Sequence, residues 1–125
     1  MNTAIKEANR YLTNAKEILS EKANRLNGIY QDKKYVKMAG HTAYGGVLFA
    51  LDLLINPPKK GSIKTVDFYR LFLSKYDKKM LAEFNNIYDT LHLSIGYDGN
   101  ADATIVKRGM DMAKEFIEKV ASRLN

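Results

Sequence analysis

Apolar residues recur every three or four positions along most of this chain, which is the spacing of one face of an α-helix. In the first segment, these positions are Ile5, Ala8, Leu12, Ala15 and Leu19. No segment shows the sustained alternation of apolar and polar residues that is typical of a half-buried strand. The spacing therefore predicts an all-α protein whose first helix covers about residues 3–25, followed by a loop of about six residues that starts at Asn27-Gly28.

The second predicted helix begins after Asp32, which is a suitable N-cap, and runs to about residue 55, before two prolines. It carries two apolar rows instead of one, which predicts a central helix with several neighbours. Gly40, Gly45 and Gly46 lie inside it. Small residues at such positions either allow a neighbouring helix to approach closely or make room for a ligand, and the sequence leaves both interpretations open.

The second half of the chain predicts three more helices, each preceded by a side chain that can cap its first turn. They are a short helix at residues 66–74 after Thr65, a third long helix at residues 78–93 after Asp77, and a last helix after Asn100 or Asp102. The third long helix would bury Leu81, Phe84, Tyr88 and Leu91. Mostly short loops favour antiparallel neighbours. We therefore predict a single domain, residues 1–125, folded as an up-and-down four-helix bundle with a short extra helix between helices 2 and 3.

Composition excludes several classes of site. The chain has no cysteine, which excludes disulfides, thiolate metal sites and cysteine nucleophiles. Its longest apolar stretch, residues 47–55, is too short to span a bilayer, and its first residues lack the pattern of a signal peptide. We expect a soluble cytoplasmic protein that needs no cofactor and does not enter a membrane.

The sequence also argues against a metal site. His41 and His92 stand alone in their segments, whereas zinc needs three or four ligands. Residues 98–102 resemble the opening of a calcium loop, but Ala103 and Gly109 stand where that loop needs glycine and glutamate. We predict no metal site, and we interpret His41 as part of the scaffold.

His92 is the candidate for acid–base chemistry, because the ordinary pKa of histidine suits proton transfer at a phosphodiester near neutral pH. It lies at the end of the predicted third helix, beside a loop rich in turn-forming residues. A structural role is the alternative, since a protonated histidine at a helix C-terminus is stabilised by the helix dipole.

Positive charge is concentrated in one region of the chain. The net charge is +6, and nearly all of the excess lies between Pro57 and Lys79. Such a cluster is typical of phosphate-binding surfaces, although lysines also keep a connecting segment soluble. The candidate nucleic-acid-binding residues are Lys59, Lys60, Lys64, Lys75, Lys78 and Lys79. The rings of Tyr69 and Tyr76 lie nearby and would either stack on bases or pack the short helix.

Three segments resemble HEPN domains (higher eukaryotes and prokaryotes nucleotide-binding). They are residues 11–19 (YLTNAKEIL), residues 39–51 (AGHTAYGGVLFAL) and residues 112–120 (MAKEFIEKV). Together with His92 and the following turn, they extend the resemblance over nearly the whole chain. The resemblance implies a helical bundle, a tendency to form homodimers and a role in binding nucleotides.

HEPN ribonucleases carry an arginine, four to six intervening residues and then a histidine. When His92 is aligned with that histidine, Asn85, Asn86 or Ile87 takes the place of the arginine. The resemblance therefore implies a non-catalytic, homodimeric module that binds a nucleotide, RNA or a partner protein. The alternative is a metal-independent ribonuclease, in which Asn85 and Asn86 would contact a phosphate or a base edge beside His92.

Overall fold

The computed structural model describes residues 3–55 and 64–124, and it is built almost entirely from helices. In chain order the elements are α1 (Thr3–Lys22), β1 (Arg25–Leu26), β2 (Ile29–Tyr30), α2 (Lys33–Asp52), α3 (Val66–Tyr76), α4 (Lys78–Ile87), a π-helix (Tyr88–Tyr97) and α5 (Ala103–Arg123). This confirms the all-α bundle with a short helix, α3, before the third long helical segment. None of the helices in these two ranges is long and apolar enough to cross a membrane.

Helices α2, α3, α4 and α5 each follow a residue whose side chain caps the first turn. The side chains of Asp32, Thr65, Asp77 and Asp102 each accept hydrogen bonds from backbone amides in the first turn of the following helix. These bonds satisfy amides that have no partner within the helix. Asn100 is not the cap of α5, because its Oδ1 accepts a bond from the Asp102 amide at 3.1 Å.

Helix α1 ends at Lys22, three residues before the predicted end, because the chain turns into a β-hairpin. Arg25 pairs with Tyr30, and Leu26 pairs with Ile29. The turn residues Asn27 and Gly28 have φ values of 51° and 79°, and positive φ at both positions is what a tight hairpin turn requires. The prediction of a plain loop here was wrong, since Asn-Gly is itself a hairpin signal.

The hairpin fastens α1 to the beginning of α5. The Tyr30 amide donates to the Ala101 carbonyl, and the Ala103 amide donates to the Gly28 carbonyl, both at 2.9 Å. The hairpin that follows α1 is therefore bonded through its backbone to the start of α5.

Helix α2 is the central helix, and it packs against α1, the π-helix and α5. A Cβ atom at Gly46 would lie 2.8 Å from Cβ of Tyr11 on α1, and one at Gly40 would lie 2.8 Å from the Gly96 amide nitrogen. These two glycines therefore serve close helix contacts, and the ligand-cavity interpretation is wrong for them. Gly45 differs, since a Cβ there would meet only the Tyr11 ring at 3.7 Å.

The third long helix differs most from its prediction. It is α-helical only to Ile87 and then continues as a π-helix to Tyr97 instead of ending near residue 93. Its fully buried side chains are Met80, Phe84, Ile87, Leu91 and Ile95. Leu81 and Tyr88, which were expected to face inward, are only partly buried. π-Helical stretches are rare, and those that occur are often at functional sites. The side chains of residues 88–97 are therefore candidates for a functional site.

A histidine and tyrosine cluster as candidate functional site

The structure brings the two histidines together. His41 on α2 and His92 on the π-helix have ring centroids 5.6 Å apart in an edge-to-face arrangement. The ring of Tyr97 lies 6.0 Å from His41 and 5.5 Å from His92. Tyr97 is 64% exposed, and His41 is exposed as well. Each histidine stands alone in its own segment of the sequence, and the two rings meet only because α2 packs against the π-helix.

Glycines make this approach sterically allowed. A Cβ atom at Gly96 would lie 2.8 Å from Cε1 of His41 and 2.8 Å from the Leu91 carbonyl oxygen. Because Gly40 meets the backbone of Gly96, α2 and the π-helix cross with almost no side-chain volume between them. The crossing places His41 directly against the segment that carries His92 and Tyr97.

Two further tyrosines cover the inner side of His92. The Tyr44 and Tyr88 rings lie 4.8 Å and 4.9 Å from the His92 ring. The Tyr88 ring also contacts Arg70, whose guanidinium carbon lies 4.8 Å from the ring centroid. We call His41, Tyr44, Tyr88, His92 and Tyr97 the His–Tyr cluster, with Arg70 at its edge.

Electrostatics keep His92 neutral at physiological pH. Burial lowers the pKa of His92 below its usual value, and the nearby His41 lowers it further. The Nδ1 atom of His92 is buried and has no hydrogen-bond partner in the described part of the chain. A neutral imidazole offers one donor and one acceptor, so this ring is able to bind a ligand atom or accept a proton.

The Tyr44 phenol stays protonated at physiological pH and is therefore a hydrogen-bond donor. Its pKa is raised to about 12, mainly by burial and also by Tyr88, while Arg70 opposes the shift. Its ring is largely buried and makes no side-chain hydrogen bond with the described residues. The cluster therefore combines a neutral imidazole, an exposed imidazole, phenol groups and a nearby guanidinium.

The two predicted asparagines take different places. Asn85 lies at the edge of the cluster, where its Oδ1 accepts a hydrogen bond from Nε of Arg70 at 2.9 Å. Asn86 is exposed and lines a small hollow of about 110 Å³ beside Met112 on α5. Only Asn85 is joined to the His92 surroundings.

The predicted basic region is only partly described. Lys59 and Lys60 lie outside the described residues. Lys64 forms an ion pair with Asp52, with Nζ 2.9 Å from Oδ2. The remaining candidates, Lys75, Lys78 and Lys79, are exposed on α3 and α4. Within residues 64–124, no contact joins these lysines to the His–Tyr cluster.

The two tyrosines near these lysines serve packing. Tyr69 is 5% exposed and donates a hydrogen bond to Asp52 Oδ1 at 2.9 Å, so its ring face is not presented to a base. Tyr76 stacks on Phe72 with ring centroids 5.2 Å apart and lies under the guanidinium of Arg123. The packing interpretation is confirmed for Tyr69, while Tyr76 retains 40% exposure.

Sequence reasoning missed Tyr44, Tyr88, Tyr97 and Arg70, and it treated His41 as scaffold. One signal was present, since each histidine has a tyrosine one helical turn away, Tyr44 after His41 and Tyr88 before His92. The remaining contacts depend on a crossing of separate helices. In residues 3–55 and 64–124, no three His, Cys, Asp or Glu side chains come together in a way that could hold a metal ion.

Comparison with known proteins places the chain in a family. Residues 3–122 match the family described as "Domain of unknown function (DUF5618)". A solved structure described as a protein of unknown function from Dyadobacter fermentans is 51% identical, with a TM-score of 0.91. The alignment covers 98% of this chain and 97% of that chain. No curated protein matches the sequence.

Proposed function

The chain belongs to the DUF5618 family, whose description leaves its function open, and we propose that it is a binding module whose His–Tyr cluster holds a nucleotide unit of single-stranded RNA. The observation that carries this proposal is the exposed ring of Tyr97, which contacts both histidines. Exposed aromatic rings stack on bases, and stacking is worth about 1–3 kcal/mol per base.

Arg70 supports the phosphate part of the proposal. Nε of Arg70 donates its hydrogen bond to Asn85. The ion pair between Arg70 and Asp67 is long, at 3.6 Å, and the Asp67 side chain is 88% exposed. Such an exposed pair contributes little, so the other guanidinium donors are available to a phosphate oxygen. The planar guanidinium is suited to that contact.

The HEPN-like relationship is part of this proposal. Asn85 is one of the positions that align with the arginine of HEPN ribonucleases, and Arg70 brings a guanidinium to Asn85 from another helix. The charge that the aligned positions lack is thus supplied from α3. This arrangement supports a site with the same chemical components as the family motif.

We also propose a homodimer, as the resemblance implies. Large apolar side chains are exposed beside the cluster, with Met38 one turn before His41 and Leu93 one turn before Tyr97. Large apolar side chains that stay exposed beside a candidate site support an interaction surface there. Light scattering at high protein concentration tests this, with the Met38→Lys variant expected to shift the protein toward monomer; a strictly monomeric wild type contradicts the dimer.

A second candidate function is metal-independent RNA cleavage. The specific observation is that a neutral, partly buried His92 adjoins an exposed His41. His92 would remove the proton from a ribose 2′-hydroxyl, whose oxygen attacks phosphorus, while protonated His41 gives its proton to the departing 5′-oxygen. The products are a 2′,3′-cyclic phosphate and a free 5′-hydroxyl. Cleavage that survives both His92→Ala and His41→Gln contradicts this candidate.

Binding is tested by fluorescence anisotropy of a labelled single-stranded RNA at several salt concentrations. We expect Tyr97→Ala to weaken binding by about tenfold, because a stacking contact is lost. The matched control is Tyr76→Ala, another partly exposed tyrosine, on α3 and outside the cluster. If only Tyr76→Ala weakens binding, or if no RNA binds at low salt, the assignment of the cluster is wrong.

A further inference from the structure

A groove of about 760 Å³ lies between α1 and α5, and the hairpin residues Arg25 and Tyr30 line part of it. It shares no residue with the His–Tyr cluster. Its floor is apolar and consists of the buried side chains of Leu19, Ala103, Val106 and Met110. A groove of this volume is within the range of small-molecule sites, which are typically apolar with a few polar groups. We call it the α1–α5 groove.

The rim of the groove has more positive than negative groups. Its cations are Lys16 on α1, Arg25 on β1 and Lys107 on α5. Its carboxylates are those of Glu21 and Asp111, and Asp111 already accepts a hydrogen bond from Lys107 at 2.9 Å. Lys16 and Arg25 form no ion pair within residues 3–55 and 64–124, so their charges are available to a ligand.

Cations on both helices of the groove affect the pKa of Asp111. The hydrogen bond from Lys107 lowers the pKa of Asp111, and the charges of Lys107, Lys16 and Lys114 add to this effect. Lys16 belongs to α1, so its charge acts across the groove on a carboxylate of α5. With Lys107 bonded to Asp111, the lining keeps two further cations, Lys16 and Arg25, and one further carboxylate, Glu21.

The hairpin adds the polar side chain of Tyr30 to the lining of the groove. Tyr30 lines the groove, and its backbone amide is bonded to Ala101 at 2.9 Å. The Tyr30 hydroxyl makes no hydrogen bond to the part of the chain that the structure describes, which leaves a donor beside the apolar floor. The groove thus offers an apolar surface, a phenol, and two unpaired cations against the one unpaired carboxylate of Glu21.

We propose that the α1–α5 groove binds a small organic anion with an apolar body, such as an aryl or alkyl carboxylate, sulfonate or phosphate. The apolar body covers Leu19, Val106 and Met110, and the anionic group faces Lys16 and Arg25. This site is separate from the one assigned to RNA, and its test does not depend on that assignment.

The test uses the dye 1-anilinonaphthalene-8-sulfonate, an aromatic sulfonate whose fluorescence increases in apolar surroundings. We expect Arg25→Gln to raise the Kd of the dye about twofold to fivefold, the loss expected for one solvent-exposed ion pair. The matched control is Arg108→Gln, which removes the same charge from an exposed position on α5 outside the groove and should leave the Kd unchanged.

A second pair of measurements separates the apolar contribution from the charge. N-phenyl-1-naphthylamine has the same aromatic body without the sulfonate, so its binding should be equal in wild type and Arg25→Gln. Ser20→Trp, at an exposed position on the rim, should block both dyes. Equal effects of Arg25→Gln and Arg108→Gln, or dye binding that Ser20→Trp leaves intact, would overturn the proposal.

Discussion

His41 and His92 come from different helices, yet their rings lie 5.6 Å apart and both contact the exposed ring of Tyr97. The contact depends on two glycines, Gly40 and Gly96, whose backbones meet where α2 crosses the π-helix. These are the only two histidines of the chain, so the protein places all its imidazole groups in one cluster. This concentration makes the cluster accessible to direct measurement.

The first prediction concerns the pKa of His92, measured from the two Hε1 signals in a proton–carbon NMR titration. We expect His92 to titrate below the usual histidine value because its partial burial disfavours the charged form and because His41 lowers its pKa further. In the His41→Gln variant the pKa of His92 should rise but remain below about 6.5, since burial persists. A His92 pKa above that value in the wild type contradicts the account.

This shift fixes the sign of a pH effect on stability. The unfolded chain takes up the His92 proton at about pH 6.5, whereas the folded protein takes it up only at lower pH. The contribution is therefore present above about pH 6.5 and is lost as the pH falls through the folded pKa. Urea unfolding from pH 7.5 to 5 should show a decrease in the free energy of unfolding, smaller in His92→Gln.

The second prediction tests the helix crossing. Gly40→Ala would place a Cβ atom 2.8 Å from the Gly96 nitrogen, so we expect it to lower the free energy of unfolding by about 1–3 kcal/mol. Gly45→Ala is the matched control within the same helix, because its Cβ would have only ordinary contacts at 3.7 Å. Its helix propensity should leave stability unchanged or raise it by up to about 1 kcal/mol. Equal destabilisation by both variants contradicts the crossing.

The third prediction concerns the start of α5. Asp102 accepts hydrogen bonds from the amides of Thr104 and Ile105, and Asp102→Ala should cost about 1 kcal/mol in thermal or urea unfolding. Asp98→Ala is the control, because that exposed carboxylate in the same turn makes no hydrogen bond within residues 64–124. A cost for Asp98→Ala as large as that for Asp102→Ala would show that general charge, not capping, matters here.

Much of this fold could be predicted from the sequence, because helix caps and the spacing of apolar residues are local features. Asp32, Thr65 and Asp77 each precede a helix in the sequence, and each caps it in the structure. The π-helix was not accessible, since apolar residues at Ile87, Leu91 and Ile95 fit the ordinary spacing of an α-helix equally well. The wider turns of the π-helix are seen only in the folded structure.

The candidate site was predictable only in part. His92 was identified from its own chemistry, and Asn85 was identified through the aligned motif. The contacts of Arg70 with Tyr88 and Asn85 join α3 to the end of α4 and the start of the π-helix, and no spacing within one segment encodes such a contact. Arg70 lies within the basic region between Pro57 and Lys79, but its charge alone does not distinguish it from the lysines there.

The fourth prediction tests Arg70 itself. Arg70→Lys keeps the positive charge but removes the planar contact with Tyr88 and the bond to Asn85. We expect the Kd for single-stranded RNA to rise about fivefold, the equivalent of about 1 kcal/mol. Arg10→Lys, an exposed position on α1, is the control and should leave the Kd unchanged. If the two variants behave alike, Arg70 acts only as a general charge.

The most direct measurement of the central claim is an RNA titration followed through the two histidine Hε1 signals, with binding monitored in parallel by anisotropy. We predict that both signals shift together and saturate at the RNA concentration at which anisotropy saturates. In Tyr97→Ala the same shifts should require about tenfold more RNA. If anisotropy reports binding while neither histidine signal moves, RNA binds elsewhere and the His–Tyr cluster is not the binding site.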